Sequence, residues 1–192
     1  MATYALGFRV KSGHAIAVAL AGDVTSPAPL ARAVVALSDP AIDATKQPYH
    51  AGFGEEQTDA PTIARLTKIV ERCAARSIDE LLKTDRLTGH SCRGAALVVG
   101  SVIDPRQVGN PHIRAHAHEG RLFRTVLEDA LRANRVDCRI LVEKTLAAAA
   151  AKELGRRTGD ITRMVGAFGR TLDGPWRAEE KAAATAAWIA LV

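Results

Sequence analysis

Apolar positions alternate or cluster in three short segments at the start of the chain. Thr3 to Val10 is rich in β-formers, Lys11-Ser12-Gly13 signals a turn, and His14 to Ala21 is a second apolar run closed by Gly22-Asp23. Leu30 to Leu37 is a third, ended by Ser38-Asp39-Pro40. Short runs between tight turn signals predict an antiparallel meander. Residues 38–60 then carry Pro, Gly, Tyr49, His50 and Phe53 with no clear period, which predicts a long loop. Such a loop is either a packed surface excursion or the cover of a small-molecule or nucleotide site.

Beyond it the period becomes helical. Asp59 and Pro61 open a helix whose apolar stripe is Ile63, Leu66, Ile69, Val70 and Cys73. Ser77 and Glu80 fit a capping box opening a short second helix through Leu82. Ala95 to Ile103 is a continuous apolar run, as in a strand covered on both faces. Asn110-Pro111 starts a long helix to about Asn134, and Cys138 to Val142 is another buried strand. Helices follow at Leu146 to Leu154, closed by Gly155, at Ile161 to Phe168, and at Pro175 to Val192. The order β-β-β-α-β-α-β-α predicts an α/β fold: one domain, 1–192, with a mixed five-stranded sheet and helices on both faces.

Composition narrows the classes. Only 4% of the 192 residues are aromatic, and alanine fills many apolar positions, most densely at Ala147 to Ala151. The formal net charge of +5, without a long Lys/Arg run, permits a polyanionic partner and does not demand one. The 3 cysteines are isolated and odd in number, against a disulfide framework or a CxxC zinc site. Cys73 and Cys138 read as buried thiols, and Cys92 falls in a polar loop, GHSCRG. No apolar run approaches the ~20 residues of a membrane span, and MATYALGFRV lacks a signal-peptide core. A soluble, cytoplasmic protein is expected.

The long helix carries the most unusual chemistry. Phe123, Val126, Leu127 and Ala130 form its sheet-facing stripe. Stepping back from Phe123 by one, two and three turns reaches Glu119, His116 and His112, all within about 40° of the same line. Polar groups on a core-facing line need partners. They either satisfy loop groups near the helix start or form a metal or phosphate site with Asp104 and Glu143. Arg114, His118 and Arg121 make a basic stripe on another face, either solvated or touching phosphates. Glu143-Lys144 ends a strand. In the last helix Glu180 shares a line with Trp176, Ala183, Ala184 and Ala187, which points it toward the sheet, and Glu179 lies beside it in the first turn.

Three stretches carry a family resemblance. ALGFRVKSGHAIAVAL is similar to the first hairpin of the ribonuclease H-like superfamily, AALVVGSVIDP to a fourth strand and its exit, and CRILVEKTLAAAAAKEL to a fifth strand, its terminal acid and the next helix. EEKAAATAAWIAL sits where an acidic residue opens an Ala-rich helix. As a pattern, the chain resembles the RuvC and YqgF Holliday-junction resolvase-like group. The resemblance implies a nucleic-acid-processing protein, acting on DNA or RNA that can be branched, and it allows a homodimer. It also implies metal-assisted phosphodiester hydrolysis with Mg²⁺ or Mn²⁺ held by carboxylates. On that reading Asp104, Glu143 and Glu180 are the catalytic ligands, and His112, His116 and Glu119 complete the metal pocket. Arg9, Lys11, Arg114 and Arg121 then bind nucleic acid. One departure stands out: the first-strand Asp of the group is missing, and Gly7 to Gly13 offers Arg9, Lys11 and Ser12 instead. A cation there repels a metal, so the alternative implied is an inactive binding or assembly module of the same fold.

Overall fold

The computed structural model describes residues 3–52 and 54–192, so Phe53 of the long loop lies outside the described residues. Strands β1 (Thr3–Lys11), β2 (His14–Gly22), β3 (Pro27–Ala36), β4 (Ser91–Val99) and β5 (Cys138–Val142) form one 5-stranded sheet in the order β3-β2-β1-β4-β5. The first three pair antiparallel, while β4 and β5 join parallel beside β1. Helices α1 (Ala60–Leu82) and α2 (Pro111–Ala133) cover one face. Helices α3 (Leu146–Leu154), α4 (Thr158–Phe168) and α5 (Ala178–Ala190) cover the other. The expected mixed sheet with helices on both faces is the observed one.

Alternation along β1 divides its side chains between two cores. Leu6, Phe8 and Val10 pack under α1 and α2 with Leu97, Val99, Phe123 and Leu127. Ala5 faces the other way, toward Ile16, Val18, Val98 and the alanines of α5. Gly7 lies on this second face, where α5 rests its backbone on β1. A Cβ at Gly7 would stand 1.9 Å from the Ala183 carbonyl oxygen and 2.3 Å from the Ala187 nitrogen. The alanine richness of the last helix therefore has a packing role: Ala183, Ala184, Ala186 and Ala187 are fully buried in that close contact.

Several boundaries differ from expectation. Ser77-x-x-Glu80 opens no second helix, because α1 runs unbroken through Leu82. Its buried stripe continues through Ala74, Ile78 and Leu81, so tertiary burial carries the helix across the cap signal, and the Ser77 hydroxyl donates instead to the Ala36 carbonyl of β3 at 2.7 Å. The fourth strand is shifted toward the N-terminus: it ends at Val99, and Val102 and Ile103 are exposed. Cys92 is accordingly inside β4 rather than in a loop, half-buried, and burial pushes its thiol pKa up. Cys138 is also half-buried and is pushed up to about 11, first by burial. β3 begins earlier, at Pro27, with an irregularity in its pairing with β2. The last helix begins later, at Ala178, because Trp176 turns back onto Gly169 and donates its indole N–H to the Val165 carbonyl at 2.9 Å.

The long loop is organised. A 3₁₀ turn spans Asp43–Lys46, the fully buried Thr45 hydroxyl donates to the Ile42 carbonyl at 2.6 Å, and His50 bridges to Glu56. Among the described residues no helix is long and apolar enough to cross a membrane.

Candidate functional site at the strand ends and the start of helix α2

The carboxyl ends of β1, β4 and β5 lie side by side, the place where open α/β sheets commonly hold ligands. Register puts Arg9 beside Val98, and Val98 beside Leu141. Val98 and Leu141 pack on the α5 side, and Glu143 follows directly after β5. The Arg9 guanidinium donates from Nη2 to Glu143 Oε2 at 2.6 Å and from Nη1 to the Val10 carbonyl at 2.8 Å. The Arg9 side chain is 8% exposed against 52% for Glu143. Two further pairs flank it. Lys11 Nζ lies 3.3 Å from Glu179 Oε1, and Arg32 of β3 donates to Glu180 Oε1 at 2.7 Å. Glu180 is buried, as its helical line predicts, and its second oxygen accepts the Arg177 backbone N–H at 2.9 Å. Burial alone would raise the Glu180 pKa, but the hydrogen bonds from Arg32 and from backbone N–H groups outweigh it and leave the carboxyl below the usual glutamate value.

The carboxylates expected to hold hard divalent ions are thus each matched to a cation. Asp104 belongs to another small structure: it caps the 3₁₀ turn Pro105–Gln107 and accepts from its Arg106 neighbour. Those hydrogen bonds pull the Asp104 pKa down to about 2. Among the described residues, Asp104, Glu143 and Glu180 form no group with converging ligand atoms. Arg9, Lys11 and Arg32 neutralise Glu143, Glu179 and Glu180 one for one. This donor set does not fit Mg²⁺ or Mn²⁺, which need several uncommitted oxygens.

A cleft of about 250 Å³ opens at the same place, between the β1–β2 turn, the exit of β4 and the side of α2. Arg9, Lys11, Ser12, Gly100, Ser101 and His116 line it, and among the described residues in its wall none is acidic.

The inner line of α2 behaves as predicted only in part. Phe123, Val126, Leu127 and Ala130 are buried, and so is Glu119. His112 and His116 are exposed, because the first turns of α2 run past the sheet and only the long loop covers them. That loop supplies a residue the sequence did not connect to the helix. His50 Nδ1 lies 2.6 Å from Glu119 Oε1, His112 Nδ1 lies 2.8 Å from the Gly54 carbonyl oxygen, and the Nε2 atoms of His112 and His116 are 3.3 Å apart. One ring nitrogen from each of His50, His112 and His116 falls within 4.8 Å of the others, while Glu119 sits behind His50. Burial raises the Glu119 pKa, and desolvation, with the neighbouring histidines, lowers that of His116. His50 carried no signal beyond its place in an aperiodic segment, since no spacing ties residue 50 to residue 112.

The basic stripe also divides. Arg114 clamps Glu56 of the loop, with Nε donating to Oε1 at 2.8 Å, and bonds the Val108 carbonyl at 3.0 Å. His118 is not on an open face but stacks on Tyr49, ring centroids 4.7 Å apart. Arg121 is exposed next to Gly120 in the cleft wall.

No family model matches the chain, and no curated protein matches it in sequence. Solved structures do. Thermus thermophilus RuvC in complex with a Holliday junction substrate matches with a TM-score of 0.58 at 13% identity, over 97% of this chain and 91% of that one. A second Thermus thermophilus RuvC structure matches with a TM-score of 0.57 at 12% identity, over 97% and 92%. The chain has the RuvC fold. Similarity to RuvC spans nearly all of both chains. On the RuvC framework this chain places an arginine, Arg9, among the strand ends.

Proposed function

We propose that the protein is a nucleic-acid-binding module of RuvC fold that does not hydrolyse phosphodiesters with hard divalent ions at its strand ends. The observation that carries this reading is the cleft wall itself, with Arg9 and Lys11 present and carboxylates absent among the described residues. Arg9 is held in place by Glu143 and by strand-end carbonyls, so its guanidinium is fixed and already paired. Lys11 is different. Its pair with Glu179 is exposed on both sides, at 41% and 38%. Such pairs contribute less than about 1 kcal/mol, so a phosphate can compete for the ammonium. The Ser12 and Ser101 hydroxyls add uncharged donors beside it. A polyanion backbone fits this chemistry, and the solved RuvC complex with a Holliday junction supports DNA as the class to try first.

Binding and cleavage should be measured together on labelled four-way junction, duplex and single-stranded DNA, with Mg²⁺ and with Mn²⁺. Salt-dependent binding without cleavage is expected. Lys11→Ala should weaken binding on every DNA and reduce the slope of log K against log salt by about 1. Metal-dependent cleavage that Glu143→Ala abolishes would overturn the reading and restore the hydrolase.

A further inference from the structure

The histidine cluster is a site of a different kind. The Gly54 carbonyl can only accept, so His112 Nδ1 carries the hydrogen and its Nε2 presents a lone pair. With Glu119 ionised, His50 Nδ1 is the donor in their 2.6 Å contact, which leaves His50 Nε2 bare as well. That atom is buried and has no hydrogen-bond partner among the described residues, on a side chain only 7% exposed. A buried nitrogen without a partner is costly unless something electrophilic faces it. His116 Nε2 meets His112 Nε2 at 3.3 Å. A tetrahedral ion with metal–nitrogen bonds of about 2.0–2.1 Å has nitrogen–nitrogen edges of roughly 3.3–3.4 Å. The second shell is present too. A carboxylate behind one ring and a backbone carbonyl behind another are the partners that fix metal-binding histidines.

We propose that His50, His112 and His116 bind one divalent transition metal of the zinc class through their Nε2 atoms, with Glu119 orienting His50. The fourth position faces a cavity of about 490 Å³ that Asp43, Gln47 and Gly52 line together with the three histidines. Imidazole nitrogen suits zinc, nickel, cobalt or copper rather than magnesium. Three protein ligands with one outward position is the arrangement that leaves room for water or a small ligand. The ion would also tie the loop at His50 to the first turns of α2, where Arg114 and Glu56 already join them. None of this depends on the nucleic-acid reading, and His116 also lines the strand-end cleft.

Metal-stripped protein should be titrated with Zn²⁺ by calorimetry and with Co²⁺ by visible absorption, with Mg²⁺ as comparison. One Zn²⁺ per chain is expected, with the intense visible bands of tetrahedral Co²⁺ and no Mg²⁺ uptake at this site. His112→Ala and His116→Ala replace exposed side chains and should fold, and each should lower affinity by about 100-fold. Glu119→Gln should lower it by roughly 10- to 100-fold. His90→Ala should leave it unchanged. Absence of Zn²⁺ binding, or Zn²⁺ binding that both His112→Ala and His116→Ala leave intact, overturns the proposal. If Glu119→Gln does not fold, the two exposed variants decide.

Discussion

Arg9 and Glu143 stand 134 positions apart in sequence and share a 2.6 Å hydrogen bond at the carboxyl ends of β1 and β5, across the intervening strand β4. The asymmetry of their burial has a consequence. Glu143 is half-exposed and can return to water, whereas Arg9 is nearly enclosed, and its Nε already lacks a partner. Glu143→Gln should therefore destabilise by about 1–3 kcal/mol, the cost of weakening the partner of a buried charge. Arg9→Met, of similar length, should cost less, and adding Glu143→Gln to it should cost little more. Urea unfolding of the four proteins at pH 7 gives these differences directly. A neutral Glu143→Gln would mean that Arg9 draws its support from the strand carbonyls alone.

Of the described glycines, Gly7 would bring an added Cβ closest to another backbone, that of α5. Gly7→Ala places a methyl group inside van der Waals contact with the Ala183 carbonyl and the Ala187 nitrogen. The helix must lift from the sheet or β1 must move, so a loss of about 1–3 kcal/mol or more is expected. Thermal melting would register it as a clear fall in Tm. Gly120→Ala, where nothing crowds a Cβ, should be neutral or slightly stabilising.

Glu180 gives the pH response a direction. Its carboxyl is held below the ordinary 4.5, despite burial, by Arg32 and by backbone donors. Stability from this group is full above pH 4.5 and is lost as pH falls through the lower folded value. Glu180→Gln should therefore flatten the acid limb of the stability curve below pH 4.5. Comparing chemical-denaturation midpoints of the two proteins between pH 3 and pH 7 tests this. Parallel curves would show that the Arg32 pair does not titrate with folding.

Glu56 ties the long loop to α2 through Arg114. Glu56→Ala removes the clamp while leaving the sheet and both cores untouched. Limited proteolysis should then cut within residues 38–60 several-fold faster than in the unaltered protein, with little change in Tm. An unchanged cleavage rate would assign the loop's order to its buried Thr45 and to the His50–Glu119 contact instead.

Much of the fold was legible because its signals are local. Alternation in the first hairpin, Asn110-Pro111 at the start of α2, and Gly155 at the end of α3 each act over a few residues, and β5 spans Cys138–Val142 as read. The misreadings occur where distant packing outweighs a local cue. Ser77 and Glu80 look like a cap, yet Ile78 and Leu81 bury and hold α1 continuous. Val102 and Ile103 look like strand, yet β4's pairing with β1 stops at Val98 and its pairing with β5 at Val99.

The candidate site divides the same way. From sequence alone came the mixed sheet, the cations in the first hairpin, and the line joining His112, His116, Glu119 and Phe123, since helical and strand periods fix which side chains share a face. Tertiary structure alone decided what those groups meet. It set Arg9 against Glu143, Arg32 against Glu180 and Arg114 against Glu56, and it brought His50 from the loop to Glu119. Pairings of this kind depend on strand order, helix crossing and loop path. Periodicity specifies a residue's direction within its own element and carries no information about which distant residue will stand opposite.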